Sequence, residues 1–332
     1  MWLESMLPSW FKPSVNNIEY SEIELGSHQW GEFSMAAIKS DLVSCHLESG
    51  PMSLYPLGHY GTFVGIYDGH GGPNASEFIK NHLFEIVKRF ASDLGDMCKA
   101  LDSSFLELDQ QYLQLVKNES KAKSGCLVGV IVKGRLYVAN AGKSRAVLGR
   151  LVRPKRYIPL VLEQWVRHIR HVQAIPLPTD QYMPTHQEEI ETLHPRDHSI
   201  FIPTTRSIGN PYLDNKSNML YAPNIVEYEL VPEDEFIIFA SPWLWKHLSN
   251  EEAVDMVKNS PRNGIATKLI KKALEKGAWN DHRLTYKELM KLNIKERRSI
   301  YEDISVVVLF LDHELFRGGI CCHCSFISFE QQ

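Results

Sequence analysis

The residues best suited to chemistry stand where a buried strand is predicted to end. Residues 61–67 are rich in β-branched and aromatic side chains and predict a strand, which Asp68, Gly69 and His70 follow in a glycine-rich turn. A carboxylate held there, beside a carbonyl that glycine lets a cation approach, suits Mg²⁺ or Mn²⁺. His70 could act as an acid or base. A plain strand-to-helix turn explains the same residues, so both interpretations stay open.

The elements around this turn predict an α+β fold. Pro73 opens a helix, and a second helix with its own apolar stripe follows it. Short strands return in close succession, separated by glycine turns, and a capping box at Ser249 and Glu252 begins further helices. Because regular alternation of strand and helix is absent, a doubly wound parallel sheet is not expected. The predicted strands are 126–132, 136–140, 145–148, 225–230, 235–240 and 304–311.

Composition excludes several classes of protein. The 332 residues are 44% hydrophobic and carry a net charge of −4, which is typical of a globular protein and gives no basic excess for nucleic acid. The six cysteines form no disulfide framework, so we expect a reducing, intracellular compartment such as the cytoplasm or nucleus. We find no secretory signal and no apolar run long enough for a membrane span.

Eight segments, in order along residues 28–313, resemble the metal-dependent protein phosphatases of the 2C type, in particular a plant subfamily. A glycine motif alone would be weak support, but eight ordered segments together indicate a common fold. The segments are residues 31–35, 65–73, 124–149, 206–209, 236–241, 248–255, 261–265 and 301–308. The domain is therefore predicted at 28–313, after an extension at 1–27 and before a cysteine-containing tail at 314–332.

The resemblance implies a central antiparallel β-sandwich flanked by pairs of helices, with two Mg²⁺ or Mn²⁺ ions at one end. It also implies hydrolysis of phosphoserine or phosphothreonine by a metal-bound hydroxide. By the same resemblance, Asp68 and Gly69 would hold metal, Asp303 would hold the first metal, and His70 would be the general acid.

The sequence departs from the family pattern mainly at this site. A Glu-Asp pair of the family falls on Leu42 and Val43, with Asp41 as a shifted stand-in. Three further acidic positions of the family are occupied by other residue types, which makes the site several charge units more positive than in an active relative. These substituted positions are Lys143, Asn210 and Pro242.

Lys143 suggests a replacement for the metal charge. An ammonium about 4 Å from a carboxylate gains roughly 4 kcal/mol at an effective dielectric near 20. We therefore expect Lys143 to occupy or border the vacated metal space and to pair with Asp68 or Asp303. A solvated lysine on a loop is the alternative.

Two further segments each allow more than one interpretation. Residues 150–172 are basic and read as an insertion, either a solvated loop or an amphipathic element for an acidic partner or a membrane surface. Cys321, Cys322 and Cys324 could bind a metal or be acylated, or lie in a mobile tail.

The lost acidic residues favour a pseudophosphatase: a monomeric binding protein with little or no hydrolytic activity that holds a phosphoprotein or a signalling partner of active relatives. The alternative is an impaired but active Ser/Thr phosphatase that uses Asp68, Asp303 and Asp41 with one metal ion. The third hypothesis is a decayed or mispredicted gene product without a physiological role.

Overall fold

The fold was analysed in a computed structural model. The structure describes residues 20–38, 43–54, 57–116, 122–152, 171–177, 206–209, 222–293, 296–297 and 299–313. Within these residues, no helix is both long enough and apolar enough to cross a membrane.

Eleven strands and six helices make up this described part. The strands are β1 (Tyr20–His28), β2 (Gly31–Ile38), β3 (Val43–Leu54), β4 (Leu57–His70), β5 (Lys123–Val132), β6 (Arg135–Ala141), β7 (Arg145–Val152), β8 (His171–Pro176), β9 (Asn224–Glu229), β10 (Asp234–Ala240) and β11 (Ser305–Phe310). The helices are α1 (Asn74–Leu94), α2 (Met97–Val116), α3 (Pro242–His247), α4 (Asn250–Lys258), α5 (Ile265–His282) and α6 (Tyr286–Lys291).

The strands form two antiparallel sheets. One sheet has the order β1-β2-β11-β10-β7-β8 and the other the order β3-β4-β5-β6-β9. Side chains alternate between the faces of each strand, so Val307 and Leu309 enter the core between the sheets while Val306 and Val308 pack under α3 to α6. The other sheet is covered by α1 and α2. This layered α+β sandwich confirms the predicted fold class.

Most predicted elements are present, with altered ends. The predicted turn after residue 67 begins later, because Gly69 and His70 still pair with β5 and the chain bends only at Gly71 and Gly72, where φ is 78° and 140°. The capping box of Ser249 and Glu252 is confirmed at α4.

Strands cross two of the predicted boundaries, which stay predictions. Strand β1 pairs with β2 from Tyr20 onwards, so the sheet starts before residue 28. Residues 150–152 complete β7 and residues 171–172 open β8. Both ends of the predicted insertion therefore lie in paired strands. The intervening 153–170, the first 19 residues and the tail from 314 onwards lie outside the described residues.

Candidate active site

One end of the sandwich gathers the residues predicted to do chemistry. Asp68 lies at the end of β4, where it pairs with Gly125 of β5. Lys143 lies in the connection from β6 to β7, Pro242 directly follows β10, and Asp303 directly precedes β11. In one sheet Ala240 pairs with both Arg145 and Val306, which brings the segments of Lys143, Pro242 and Asp303 to one edge. Asp68 belongs to the other sheet, and the charges of Asp303 and Lys143 act on it.

Asp68 and His70 form a local pair. The ring nitrogen Nδ1 of His70 lies 2.9 Å from the backbone oxygen of Asp68, and since that oxygen can only accept, Nδ1 carries the proton. Nε2 then lies 3.7 Å from the Asp68 carboxylate. The His70 side chain is exposed, whereas the Asp68 side chain is largely buried. The histidine therefore faces solvent with one nitrogen fixed by the backbone.

The Asp68 carboxyl is largely buried and lies among charges of both signs. Burial is the main influence and raises its pKa to about 6. The charge of His70 lowers this pKa, the charges of Glu302 and Asp303 raise it, and the charge of Lys143 lowers it. Four charged groups from three chain segments therefore act on Asp68. Glu302 was missed in the sequence; its adjacency to Asp303 was the available signal.

Lys143 borders the site without direct pairing. Its side chain is exposed, and among the described residues it makes no ion pair within 4 Å. Its neighbour Gly142 approaches Gly125 so closely that a Cβ on Gly142 would lie 3.0 Å from the Gly125 Cα. The same Gly125 contacts the Asp68 side chain, since a Cβ there would lie 3.7 Å from the Asp68 Cβ. The predicted ion pair is thus not formed, but the charge of Lys143 acts on Asp68.

Pro242 is the first residue of α3, and this start suits proline because the first helical N–H needs no partner. Ser241 before it links the two strands: its Oγ lies 3.3 Å from the Asp303 backbone oxygen and accepts from the Ser305 N–H at 3.0 Å. Position 242 therefore lies beside Asp303 and offers no oxygen side chain. Trp243 and Trp245 are buried in the core.

Comparison with known proteins identifies the family. The sequence profile described as Protein phosphatase 2C matches residues 30–157 and 199–281. This chain belongs to the protein phosphatase 2C family. It is 36% identical to the Arabidopsis thaliana protein "Probable protein phosphatase 2C 38", covering 94% of this chain and 92% of that relative. It is 37% identical to "Probable protein phosphatase 2C 46" of the same plant, covering 87% and 84%.

Solved structures share the phosphatase 2C fold. The serine-threonine phosphatase 2C of Toxoplasma gondii aligns with a TM-score of 0.56 at 14% identity, covering 89% of this chain and all of that one. A C. elegans sex determining protein aligns with a TM-score of 0.55 at 15% identity, covering 92% and 68%. At these identities the likeness shows the fold alone.

The phosphatase 2C family is generally dependent on Mg²⁺ or Mn²⁺, so the donor set of this chain can be tested against that need. Within the described ranges, no group of three or more His, Cys, Asp or Glu side chains is placed to hold a metal. The two retained carboxylates, Asp68 and Asp303, share their end of the sandwich with the ammonium of Lys143. These residues do not fit a two-metal centre. The predicted positions Asp41, Leu42 and Asn210 lie outside the described residues, and Val43 is described only as backbone of β3.

Asp109 was also missed and supports the segment 206–209. This buried carboxylate on α2 accepts the Gly209 N–H at 2.7 Å, and Ile208 forms a bridge to Ser124 beside the site. The φ of Gly209 is 83°, so glycine suits this position. A helix side chain thereby fixes a loop next to Asp68.

Replacing Asp109 by asparagine should stabilise the protein at neutral pH. Burial raises the pKa of Asp109 from 3.8 to about 6, so the folded state holds its proton more tightly than the unfolded state does. The contribution of Asp109 to the free energy of unfolding is most favourable below pH 3.8, and this favourable part is lost as the pH rises through about 6. We expect Asp109→Asn, which keeps the acceptor for Gly209, to gain about 1–2 kcal/mol at pH 7.

Urea unfolding of both proteins between pH 3.5 and 8 measures this difference. The gain should grow from pH 4 to pH 6.5 and then stay constant. A constant difference over the whole range would contradict the assignment. Asp109→Ala, which also removes the acceptor for Gly209, is the matched variant and should be less stable than Asp109→Asn at every pH.

Proposed function

We propose that this member of the phosphatase 2C family is a pseudophosphatase, which keeps the fold but has little or no Ser/Thr phosphatase activity. The observation that carries this proposal is the placement of Lys143 and Pro242. Both stand where the family resemblance implies carboxylates, and both lie at the strand ends around Asp68 and Asp303. Neither side chain can be an oxygen ligand.

Charge supports the same proposal. When bound, two divalent ions supply the attacking hydroxide and neutralise the phosphoryl oxygens. A hard dication needs about six oxygen ligands, and water can fill positions without neutralising charge. Here Asp68, Glu302 and Asp303 supply the negative charge around the site, and Lys143 opposes it. Among the described residues, this charge balance supports the proposal that the chain has little or no metal-activated hydrolysis.

The proposed activity is binding. The sandwich is intact, and His70 and Lys143 present exposed polar groups at the edge of the family's substrate site. A phosphoprotein, or a signalling protein that active relatives also contact, is the proposed partner. We propose that the protein is a monomer inside the cell, in the cytoplasm or nucleus. Peripheral association with a membrane through residues 150–172 is a further proposal for test.

One observation favours the alternative of an impaired phosphatase. Asp68 and His70 keep the arrangement of a buried carboxylate beside an exposed, backbone-fixed imidazole. A shifted ligand such as Asp41 would then complete a site for one metal ion. The experiment below separates the two functions.

Calorimetry of Mn²⁺ binding, with a parallel assay on a phosphothreonine peptide, tests the proposal. We expect no saturable binding at micromolar Mn²⁺ and no turnover above that of Asp68→Ala, in a protein that unfolds cooperatively. Tight binding with turnover that Asp68→Ala abolishes would overturn it and establish the impaired enzyme. Failure to unfold cooperatively would instead indicate a decayed product.

A further inference from the structure

A cleft of about 480 Å³ lies at the end of the sandwich opposite to Asp68. Strand β5 runs from Gly125, which pairs with Asp68, to Val132 beside the cleft, a span on the order of 20 Å. Three turns form the cleft: β1 to β2, β5 to β6, and β9 to β10. The lining residues are Trp30, Lys133, Gly134, Arg135, Glu229, Leu230, Pro232 and His313.

The walls of this cleft are partly polar and partly apolar, and backbone hydrogen bonds fix the apolar part. Trp30 and Leu230 are half-buried and pack against the core between the sheets. The backbone oxygen of Trp30 accepts from the Asp312 N–H at 2.8 Å, and the Leu230 N–H donates to the Gly134 oxygen at 3.0 Å. Together with the exposed ring of Pro232, they offer flat surfaces of the size that small ligands occupy.

Among the described residues that line the cleft, Lys133 is a cation without a carboxylate partner. Arg135 forms an ion pair with Glu227 and lies opposite Glu229 in the ladder, so carboxylates already neutralise its guanidinium. Lys133 is exposed, and among the described residues its ammonium has no ion-pair partner within 4 Å. Anionic groups that enter the cleft would therefore meet Lys133.

The backbone of Lys133 is strained. Lys133 and Gly134 form a two-residue hairpin turn with φ of 52° and 72°, a geometry that favours Asn, Asp or Gly at the first position. Within the described residues, Arg283 is the one other non-glycine with positive φ, and it ends α5 in the usual left-handed cap. Strain of this kind persists where function offsets it.

We propose that this cleft binds a small aromatic carboxylate, with its ring against Trp30 and Pro232 and its carboxylate on the Lys133 ammonium. The ring matches the flat apolar walls, and the carboxylate matches the available cation. The strained lysine is explained by this role, since asparagine would suit the turn better and could not supply the charge. This site is separate from the degenerate active site, so it stands whether or not the chain hydrolyses phosphate.

Titration of the full chain with 2-naphthoate, followed by NMR of the indole N–H signals, tests the proposal. Trp30→Phe assigns the Trp30 signal. We expect saturable shifts at Trp30, with the neutral 2-naphthamide binding at least tenfold more weakly. Lys133→Asn should weaken naphthoate binding at least tenfold while raising the midpoint of thermal unfolding by about 1–2 °C, because an Asn-Gly turn relieves the strain.

Lys99→Asn is the matched control, since Lys99 is an exposed lysine on α2 away from the cleft. It should leave naphthoate affinity unchanged. Equal affinities for naphthoate and naphthamide, or unchanged naphthoate binding in a folded Lys133→Asn protein, would overturn the proposal. Absence of any saturable shift at Trp30 would overturn it as well.

Discussion

Replacing Lys143 and Pro242 together by aspartate is expected to raise the affinity of the chain for Mn²⁺. The double substitution removes one positive charge and adds two carboxylates at the strand ends beside Asp68 and Asp303. Each unit charge at about 4 Å from a cation is worth roughly 4 kcal/mol at an effective dielectric near 20, before the cost of desolvation. We expect Mn²⁺ affinity to rise at least about 100-fold, measured by calorimetry.

The fold should tolerate both substitutions. Lys143 is exposed and makes no ion pair among the residues described, so little packing is lost. The neighbouring turn is held independently, because the Asn140 side chain donates to the backbone oxygens of Gly142 and Ser144. Position 242 begins α3, where an aspartate complements the helix dipole. A loss of affinity caused by unfolding is therefore not expected, and the midpoint of thermal unfolding checks this.

Two controls separate a metal site from a general charge effect. Lys143→Gln with Pro242→Asn removes the ammonium and adds no carboxylate, so Mn²⁺ affinity should rise far less. Lys99→Asp reverses a charge on remote α2 and should leave affinity unchanged. Adding Asp68→Ala to the double-aspartate protein should abolish binding. A folded double-aspartate protein that binds Mn²⁺ no better than the natural chain would contradict our account of the site.

The sequence predicted the parts of the fold whose residue pattern is local. Apolar spacing identified α1 and α2, and Ser249 with Glu252 marked the start of α4. Strand β8 was missed because its residues, His171–Pro176, adjoin a basic stretch and end in proline, which favours a loop. Helix α3 was missed because six residues are too few for a helical period to show.

The sequence predicted the residue types of the candidate site and not their contacts, and the roles of these residues in binding metal stay predictions. Resemblance pointed to Asp68 and Asp303, and in the structure the charge of Asp303 acts on Asp68. The ion pair expected of Lys143 is not formed, because the reach of a flexible side chain does not follow from residue order. Glu302 and Asp109 act across 234 and 100 residues of sequence separation, on Asp68 and Gly209 respectively, and only the tertiary fold shows such pairs.

His28 should make the protein sensitive to acid well above the range where most carboxyl groups titrate. It is buried at the end of β1, and its Nε2 donates to the Phe310 oxygen at 3.0 Å while Nδ1 accepts from Thr62 Oγ1 at 3.1 Å. The neutral ring thus joins the two sheets with both nitrogens in use. Burial lowers the pKa of His28 from 6.5 to about 4, against smaller opposing effects of the Phe310 hydrogen bond and Asp312.

The sign of the pH dependence follows from this lowered pKa. Between pH 6.5 and 4 the unfolded state binds a proton at His28 and the folded state does not. The contribution of His28 to the free energy of unfolding is therefore fully present above pH 6.5 and is lost as the pH falls towards 4. The loss attributable to His28 is about 3 kcal/mol by pH 4.

Urea unfolding of the natural chain and of His28→Gln measures this loss, because the variant lacks the titrating group and should lose about 3 kcal/mol less over this range. His82→Gln, which removes an exposed histidine of α1, should keep the natural slope. Parallel pH profiles for the natural chain and His28→Gln would show that the ring is protonated in the folded state, and would contradict its placement between the sheets as a neutral donor and acceptor.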